Sequence, residues 1–313
     1  MPNLCVLNLL WCLHLFAGAF PSVTPPAEDS GVTPFKLDHN GAVVVPVSVG
    51  GAGPFPFLVD TGSSHTVIGD ALMTRLGLTA VAKAEVVSAS GRSTQLVVRL
   101  ESTAVGRAVR NGLLASVLPS ATFAALGTDV QGVLGQDFLA TFDYTLDYTH
   151  RELTWKAEAG SGMPAARLSL TPDAGRFLVV LPQGSGRGVV RLVPDSGSAA
   201  LVIFDHARKV SGDTLRLQPA RGQARMRGVS GDRIVDRAVV RELRVGDSCS
   251  RTSRPWSSTI AKAGARRRTA CCRCIISRAC HFTRASRVCR SGRVSLTPQS
   301  RPRFSQEVEG QEL

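Results

Sequence analysis

Between residues 13 and 248 the chain has no cysteine at all. A body of that length therefore folds without disulfides, and cysteine usage says nothing of its redox compartment. Of the eight cysteines, Cys5 and Cys12 lie near the start, and Cys249, Cys271, Cys272, Cys274, Cys280 and Cys289 lie near the end. That final group has no CxxC pair and no two pairs that face each other, so its spacing argues against a zinc site, even with His281 beside it. No metal and no cofactor are implied. Aromatic residues are scarce, at 5% of the chain. Val, Leu, Ala and Gly take their place, which suits short strands and tight turns.

Acidic residues are also scarce overall, giving a formal net charge of +13. The excess is local. Residues 248–313 hold 14 basic and 3 acidic residues, whereas the first 247 residues hold 23 and 21. The main body is nearly neutral. The basic tail lacks the aromatic interleaving of a nucleic-acid arm, so no nucleic-acid partner is expected. Long apolar runs are missing except at the start, where residues 4–16 lead into Ala17-Gly18-Ala19. That run is too short for a membrane span but fits a signal peptide over 1–19, although a basic flank is absent. Trp11 is bulky where a lipoprotein anchor at Cys12 would want a small residue. A secreted or periplasmic protein is the expectation, with a Pro- and Ser-rich linker over 20–34.

Against these absences stands one polar turn that closes an apolar run: Phe57-Leu58-Val59-Asp60-Thr61-Gly62-Ser63-Ser64-His65-Thr66-Val67-Ile68. Asp60 ends the apolar run, where burial disfavours the charged carboxylate. Gly62 lets another chain segment approach closely. The turn recurs at Leu192-Val193-Pro194-Asp195-Ser196-Gly197-Ser198, followed by Val202-Ile203. Asp195 falls on Asp60, Ser196 on Thr61, Gly197 on Gly62, Ser198 on Ser63 and Asp205 on Asp70. A Gly-rich turn between apolar strands precedes each copy, at 50–53 and 184–188. A repeated unit of strand, turn, strand, acid loop and apolar run is the main organising feature.

Other segments read in order. Residues 41–49 form a Val-rich strand placed near a sheet edge by Pro46. Residues 70–77 form a short helix capped by Asp70 and ended by Gly77. Residues 86–98 form a hairpin with a polar tip, Ser90-Gly91-Arg92. Residues 113–118 form a strand, and Val133-Leu134-Gly135 precedes a short helix at 136–139. Residues 142–155 form a hairpin turning at 149–151, which leaves His150 exposed. Residues 157–166 read as a linker. Residues 226–235 form a second hairpin, running into a strand over 236–245.

The two acid loops and the apolar-apolar-Gly triplet at 133–135 resemble the aspartic protease family, the first copy being similar to the retropepsin type. The resemblance spans about 40–157 well and about 176–247 in part. It implies an all-β fold of acid-protease (retropepsin-like) β-barrel lobes with short helices. The first lobe, 35–157, is complete, and the second, 165–247, is partial, since no second apolar-apolar-Gly follows it. The remaining 248–313 would be a disordered tail, and its abrupt change of composition points to a reading-frame error. On this resemblance Asp60 and Asp195 would be catalytic, with Thr61, Gly62, Ser63, Ser196, Gly197, Ser198 and Gly135 supporting the loops. Thr61 and Ser196 would hydrogen-bond across, and Ser90, Gly91 and Arg92 would tip a flap. The substrate would be a peptide or protein. The acids could pair within one chain, or Asp60 could pair with Asp60 of a second copy in a homodimer through the first lobe. A catalytically inactive secreted β-barrel module that binds peptides or a partner protein is the alternative.

Overall fold

A computed structural model describes residues 31–125, 129–155, 166–182, 189–198, 201–204 and 215–245, with backbone segments between 248 and 298. The expected signal peptide, most of both linkers, the Gly-rich turn at 184–188 and Asp205 lie outside the described residues. Strands dominate, and the described helices are short: α1 (Asp70–Arg75), α2 (Ser120–Ala125) and α3 (Gln136–Leu139).

The first half of the chain builds an eight-stranded sheet. Its order is Lys36–Leu37, Val43–Val49, Ala52–Val59, Gly132–Leu134, Val67–Gly69, Ala108–Leu118, Arg92–Val105 and Ala80–Val87. Val43–Val49 also pairs with Arg92–Val105, through Ser48 opposite Ala104, which curls the sheet on itself. The alternation in Val43–Val49 puts Val43, Val45, Val47 and Val49 inside, each at most 2% exposed. They pack with Phe55, Phe57, Val59, Ile68 and Leu100 into one core. That core continues into Phe177, Val179, Leu181, Leu192 and Ile203 of the second half. At roughly 1.5–3 kcal/mol per fully buried large apolar side chain, this shared interior is what holds the acid loops in place.

Val43–Val49 lies one strand in from the end of the sheet, near the edge as expected, between the two-residue strand Lys36–Leu37 and Ala52–Val59. Proline is tolerated because Pro46 lies opposite Pro56. On its other side, Lys36–Leu37 reaches only Val43 and Val44, and Arg92–Val105 only Ser48 and Val49. Residue 46 falls in the gap, where no ladder partner waits for an N–H. Asp70 is not the N-cap of α1 but its first residue, the cap position being Gly69. Its carboxylate instead accepts from Ala71 N at 2.7 Å and from Ser120 N and Oγ at 2.8 and 2.6 Å, tying α1 to the start of α2. Gly77 does end α1, at φ +62°, with its N–H on Thr74 O and that of Leu78 on Met73 O, the pattern of a left-handed C-terminal stop.

The second half enters a fourteen-stranded sheet. Arg176–Pro182 and Val189–Pro194 form the hairpin before the second acid loop, and Val202–Phe204 follows it. The long hairpin Leu215–Gly228 and Gly231–Val245 comes next. Val32–Pro34, expected at the end of a linker, is a strand paired with Glu152–Trp155.

The tail departs from expectation as well. Backbone strands occur at Ser248–Ala261, Ala270–Cys272, Ala279–Phe282, Arg290–Ser291 and Val294–Pro298, where disorder was expected. Ala270–Cys272 runs parallel to Val189–Pro194 and antiparallel to Val202–Phe204. Gly132–Leu134 makes the same two pairings, with Ala52–Val59 and Val67–Gly69. The backbone slot of the missing triplet is thus filled by residues that lack its sequence, Arg273 following where the first copy has Gly135. Ladder bonds use only main-chain groups, so a strand can form there without the apolar signature that would announce it.

Candidate active site

Each acid loop hangs from the end of a buried strand, Ala52–Val59 for the first and Val189–Pro194 for the second. Asp60 N donates to Leu134 O at 3.0 Å, which anchors the first loop to the strand beside it. The loop then turns around its own carboxylate. Asp60 Oδ1 accepts from Gly62 N at 2.8 Å and Ser63 N at 3.1 Å. Asp195 does the same in the second loop, accepting from Gly197 N at 2.9 Å. Ser63 Oγ donates to His65 O at 2.7 Å, bracing the far side of the first turn.

The loops meet. Thr61 N donates to Ser196 Oγ at 3.1 Å, and Ser196 N donates to Thr61 Oγ1 at 3.0 Å. Each hydroxyl then passes its own proton on: Thr61 Oγ1 to Pro194 O at 2.8 Å, and Ser196 Oγ to Val59 O at 2.5 Å. Four reciprocal bonds, all made by residues next to the acids, fix one loop to the other. Both hydroxyl residues are about 1% exposed, so an unmade bond here would leave a desolvated polar group. Pro194 takes part through its carbonyl, a group that proline keeps.

The glycines decide how close the acids come. A methyl group on Gly62 would sit 2.6 Å from Asp195 Cγ, and one on Gly197 would sit 2.7 Å from Asp60 Cγ. Each carboxyl lies over the other loop's glycine, and the two acids share a hydrogen bond. Burial, then the charge of Asp195, pushes the Asp60 carboxyl well above its ordinary value, partly offset by the N–H groups of Gly62 and Ser63. Two like charges this close do not both ionise, so one proton belongs to the pair.

Of the remaining expected residues, Gly135 sits where a side chain would run into the backbone carbonyl of His65. Its N–H reaches Thr66 Oγ1 at 3.4 Å. Ser198 is partly buried in the second loop. Ser90 and Gly91 turn the first hairpin, closed by Ser88 N on Gly91 O at 2.8 Å. Arg92 points away to an exposed pairing with Glu85 at 3.0 Å.

Several groups escaped the sequence reading. Gln136 Nε2 donates to Thr61 O at 2.8 Å, and Asp137 accepts from Thr66 N at 3.0 Å and Thr66 Oγ1 at 2.8 Å. Both support the first loop from below. Their signal was available: two polar residues directly after an apolar-apolar-Gly triplet, at the start of a helix. The contact between hairpin tips had no local signal. Ser230 N donates to Ser90 Oγ at 3.1 Å, and Ser93 Oγ lies 3.4 Å from Ser230 Oγ. Val229 packs on the apolar cluster of Leu58, Val67, Val133 and Phe123, which adjoins the first acid loop.

Two titrations oppose each other here. Burial, relieved by the Thr66 and Phe138 donors, raises Asp137 to about 6. The folded chain holds that proton more tightly than the unfolded one, so stability from this group is lost as pH rises from 3.8 to about 6. Burial and then Arg176 lower His65 to about 4. Stability from the histidine is present above 6.5 and lost as pH falls towards 4. His65→Gln should therefore gain on wild type in melting temperature between pH 7 and pH 5, by about 3 °C or more. Thermal melts at both pH values check this; an unchanged difference would show that His65 is not held neutral.

The arrangement is that of an aspartic-type peptidase. Residues 45–138 match the model of the aspartyl protease family. That segment is similar to the aspartyl protease family, and the described residues are mostly strands with a few short helices. A retropepsin-like aspartic protease from Rickettsia conorii, solved as a crystal structure, is similar at 16% identity, over 40% of this chain and 87% of that chain, with a TM-score of 0.29. No curated protein matches the chain.

Proposed function

We propose that this chain is an aspartic endopeptidase whose acid pair, Asp60 and Asp195, is assembled within a single chain. The observation that carries the reading is the reciprocal bonding of Thr61 and Ser196, which holds each carboxyl against the other loop's glycine. The same contact favours the intramolecular pair over pairing of Asp60 between two copies, because Asp195 already occupies the position opposite it.

The chemistry follows from one proton shared by two carboxyls. The ionised member takes a proton from a water held between them, and the resulting hydroxide attacks the peptide carbonyl carbon. The protonated member gives its proton to the carbonyl oxygen, so no full oxyanion develops. The tetrahedral diol then collapses: a hydroxyl proton returns to one carboxylate, the amide nitrogen takes the other proton, and the C–N bond breaks. Acid and amine leave, and the pair again holds one proton. Neither carboxyl is the base by identity, because the proton belongs to both.

Activity should therefore peak on the acid side and fall on both limbs, as the pair gains its second proton or loses its only one. A pH profile of kcat/KM on an unstructured protein substrate measures this. A peptide with a hydroxyl-bearing tetrahedral carbon in place of the scissile carbonyl should inhibit more tightly than the matching substrate binds. Activity rising steadily into the alkaline range would overturn the reading.

A further inference from the structure

We propose that two copies of this chain pair edge to edge through Ala80–Val87, antiparallel and centred on Ala84, as a weak dimer in solution. The inference does not depend on the hydrolytic reading, since each copy keeps its own Asp60 and Asp195. It also differs from a pairing of Asp60 between two copies, because the acid loops take no part in the contact.

Ala80–Val87 ends the eight-stranded sheet, and among the described residues no strand lies beyond it. Its ladder with Arg92–Val105 uses one side of the backbone. The other side presents alternate N–H and C=O groups to a further strand. The approach is open: Ala80, Ala82, Lys83 and Glu85 are exposed, and Val81 is 55% exposed. The other sheet edges suit this less well. Val32–Pro34 and Lys36–Leu37 hold three and two residues. Leu215–Gly228 is interrupted by Pro219 and by two register shifts, which break a straight ladder.

Charge selects the partner and the register. Residues two apart on a strand share a face, so Lys83 and Glu85 lie on the same one. Centred on Ala84, two antiparallel copies set Lys83 opposite Glu85 of the other copy and Glu85 opposite its Lys83. Ala82 then meets Val86, and Val81 lies towards Val87. The two neighbouring registers set Lys83 against Lys83 or Glu85 against Glu85, and parallel in-register pairing sets both. Charges on an edge strand ordinarily guard it against pairing. Here they oppose those other alignments and favour this one. Glu85 Oε1 already meets Arg92 at 3.0 Å, but the two side chains are 48% and 66% exposed, and such a pair is weak. Its second oxygen can face Lys83 of the other copy. A bulge between Ala80 and Ala82 ends the regular stretch, so the shared ladder spans residues 82–86. That interface is small, and the dimer is correspondingly weak.

Sedimentation velocity of the full chain at low salt, from about 1 to about 100 µM, should show a monomer passing into a dimer as concentration rises. K83E and E85K should each raise the dissociation constant by about tenfold or more, because each sets like charges opposite one another. The double variant K83E/E85K restores opposite charges in the same register and should dimerise as wild type does. An equal mixture of K83E with E85K should form a heterodimer tighter than either variant's self-association, which neither misfolding nor a general loss of charge would produce. These differences should shrink at high salt. A wild type that stays monomeric throughout overturns the proposal. So does a dimer that K83E and E85K leave unchanged, or a mixture of the two that gains no affinity.

Discussion

Asp60→Asn and Asp195→Asn should each lower kcat/KM by about a thousandfold or more, with the fold intact. The reason is stoichiometric. Hydrolysis needs a base and an acid at one water, and the pair supplies both with a single mobile proton. An amide at either position offers neither. The double variant should be no worse than the worse single variant, because the two groups act as one unit. The result also separates two assemblies. If only Asp60→Asn is inactive, two copies of the first lobe must be pairing their Asp60 residues, and the intramolecular reading is lost.

The same variant has a thermodynamic signature. Asp60 holds its proton more tightly folded than unfolded, so its ionisation opposes folding, and stability from this group declines as pH rises above its ordinary value of 3.8. Asp60→Asn removes that cost. Its melting temperature should equal or exceed that of wild type near pH 7, and its advantage should shrink in acid. An enzyme less active but more stable is the mark of strain kept for function.

Gly62→Ala and Gly197→Ala should each cost about a hundredfold in kcat/KM while the protein still folds. The added methyl at either position lands 2.6–2.7 Å from the opposite carboxyl carbon. A contact that short has no tolerated form, and an aspartate side chain is too short to swing clear. The loops must part, or the carboxyls must turn, by about an ångström, which is the scale of misplacement that costs this much. Thr61 and Ser196 resist the parting through their reciprocal bonds, so the strain should also lower the melting temperature. Activity assays with retained near-ultraviolet circular dichroism distinguish the two effects. Full activity in either variant would mean the acids do not lie as close as described.

Much of the site was legible because its parts are short-range. Asp60-Thr61-Gly62 and Asp195-Ser196-Gly197 each write a turn in three residues, and their repetition signalled that the two turns belong together. The strands before them were readable from apolar alternation, and Gly77 announced the end of α1. Asp70 misled, because a cap and a first helical residue differ by one position, and the partner that decided it, Ser120, lies fifty residues away. Pro46 rightly placed its strand near the sheet edge, but not which neighbours it would have. A proline is excluded from an inner strand only if a ladder partner waits for its N–H, and pairing is not written in the strand itself.

The amino-acid order by itself determined the acid turns, their duplication, and the neutral, cysteine-free body that carries them. Only the tertiary structure decided that Asp195 seats on Gly62, that Ser230 bonds Ser90, and that backbone from Ala270–Cys272 fills the slot beside the second acid loop. The division has one physical cause. Turns and alternation arise from neighbours along the chain, whereas these contacts join residues more than 70 positions apart, through close packing and main-chain groups that every residue type carries alike.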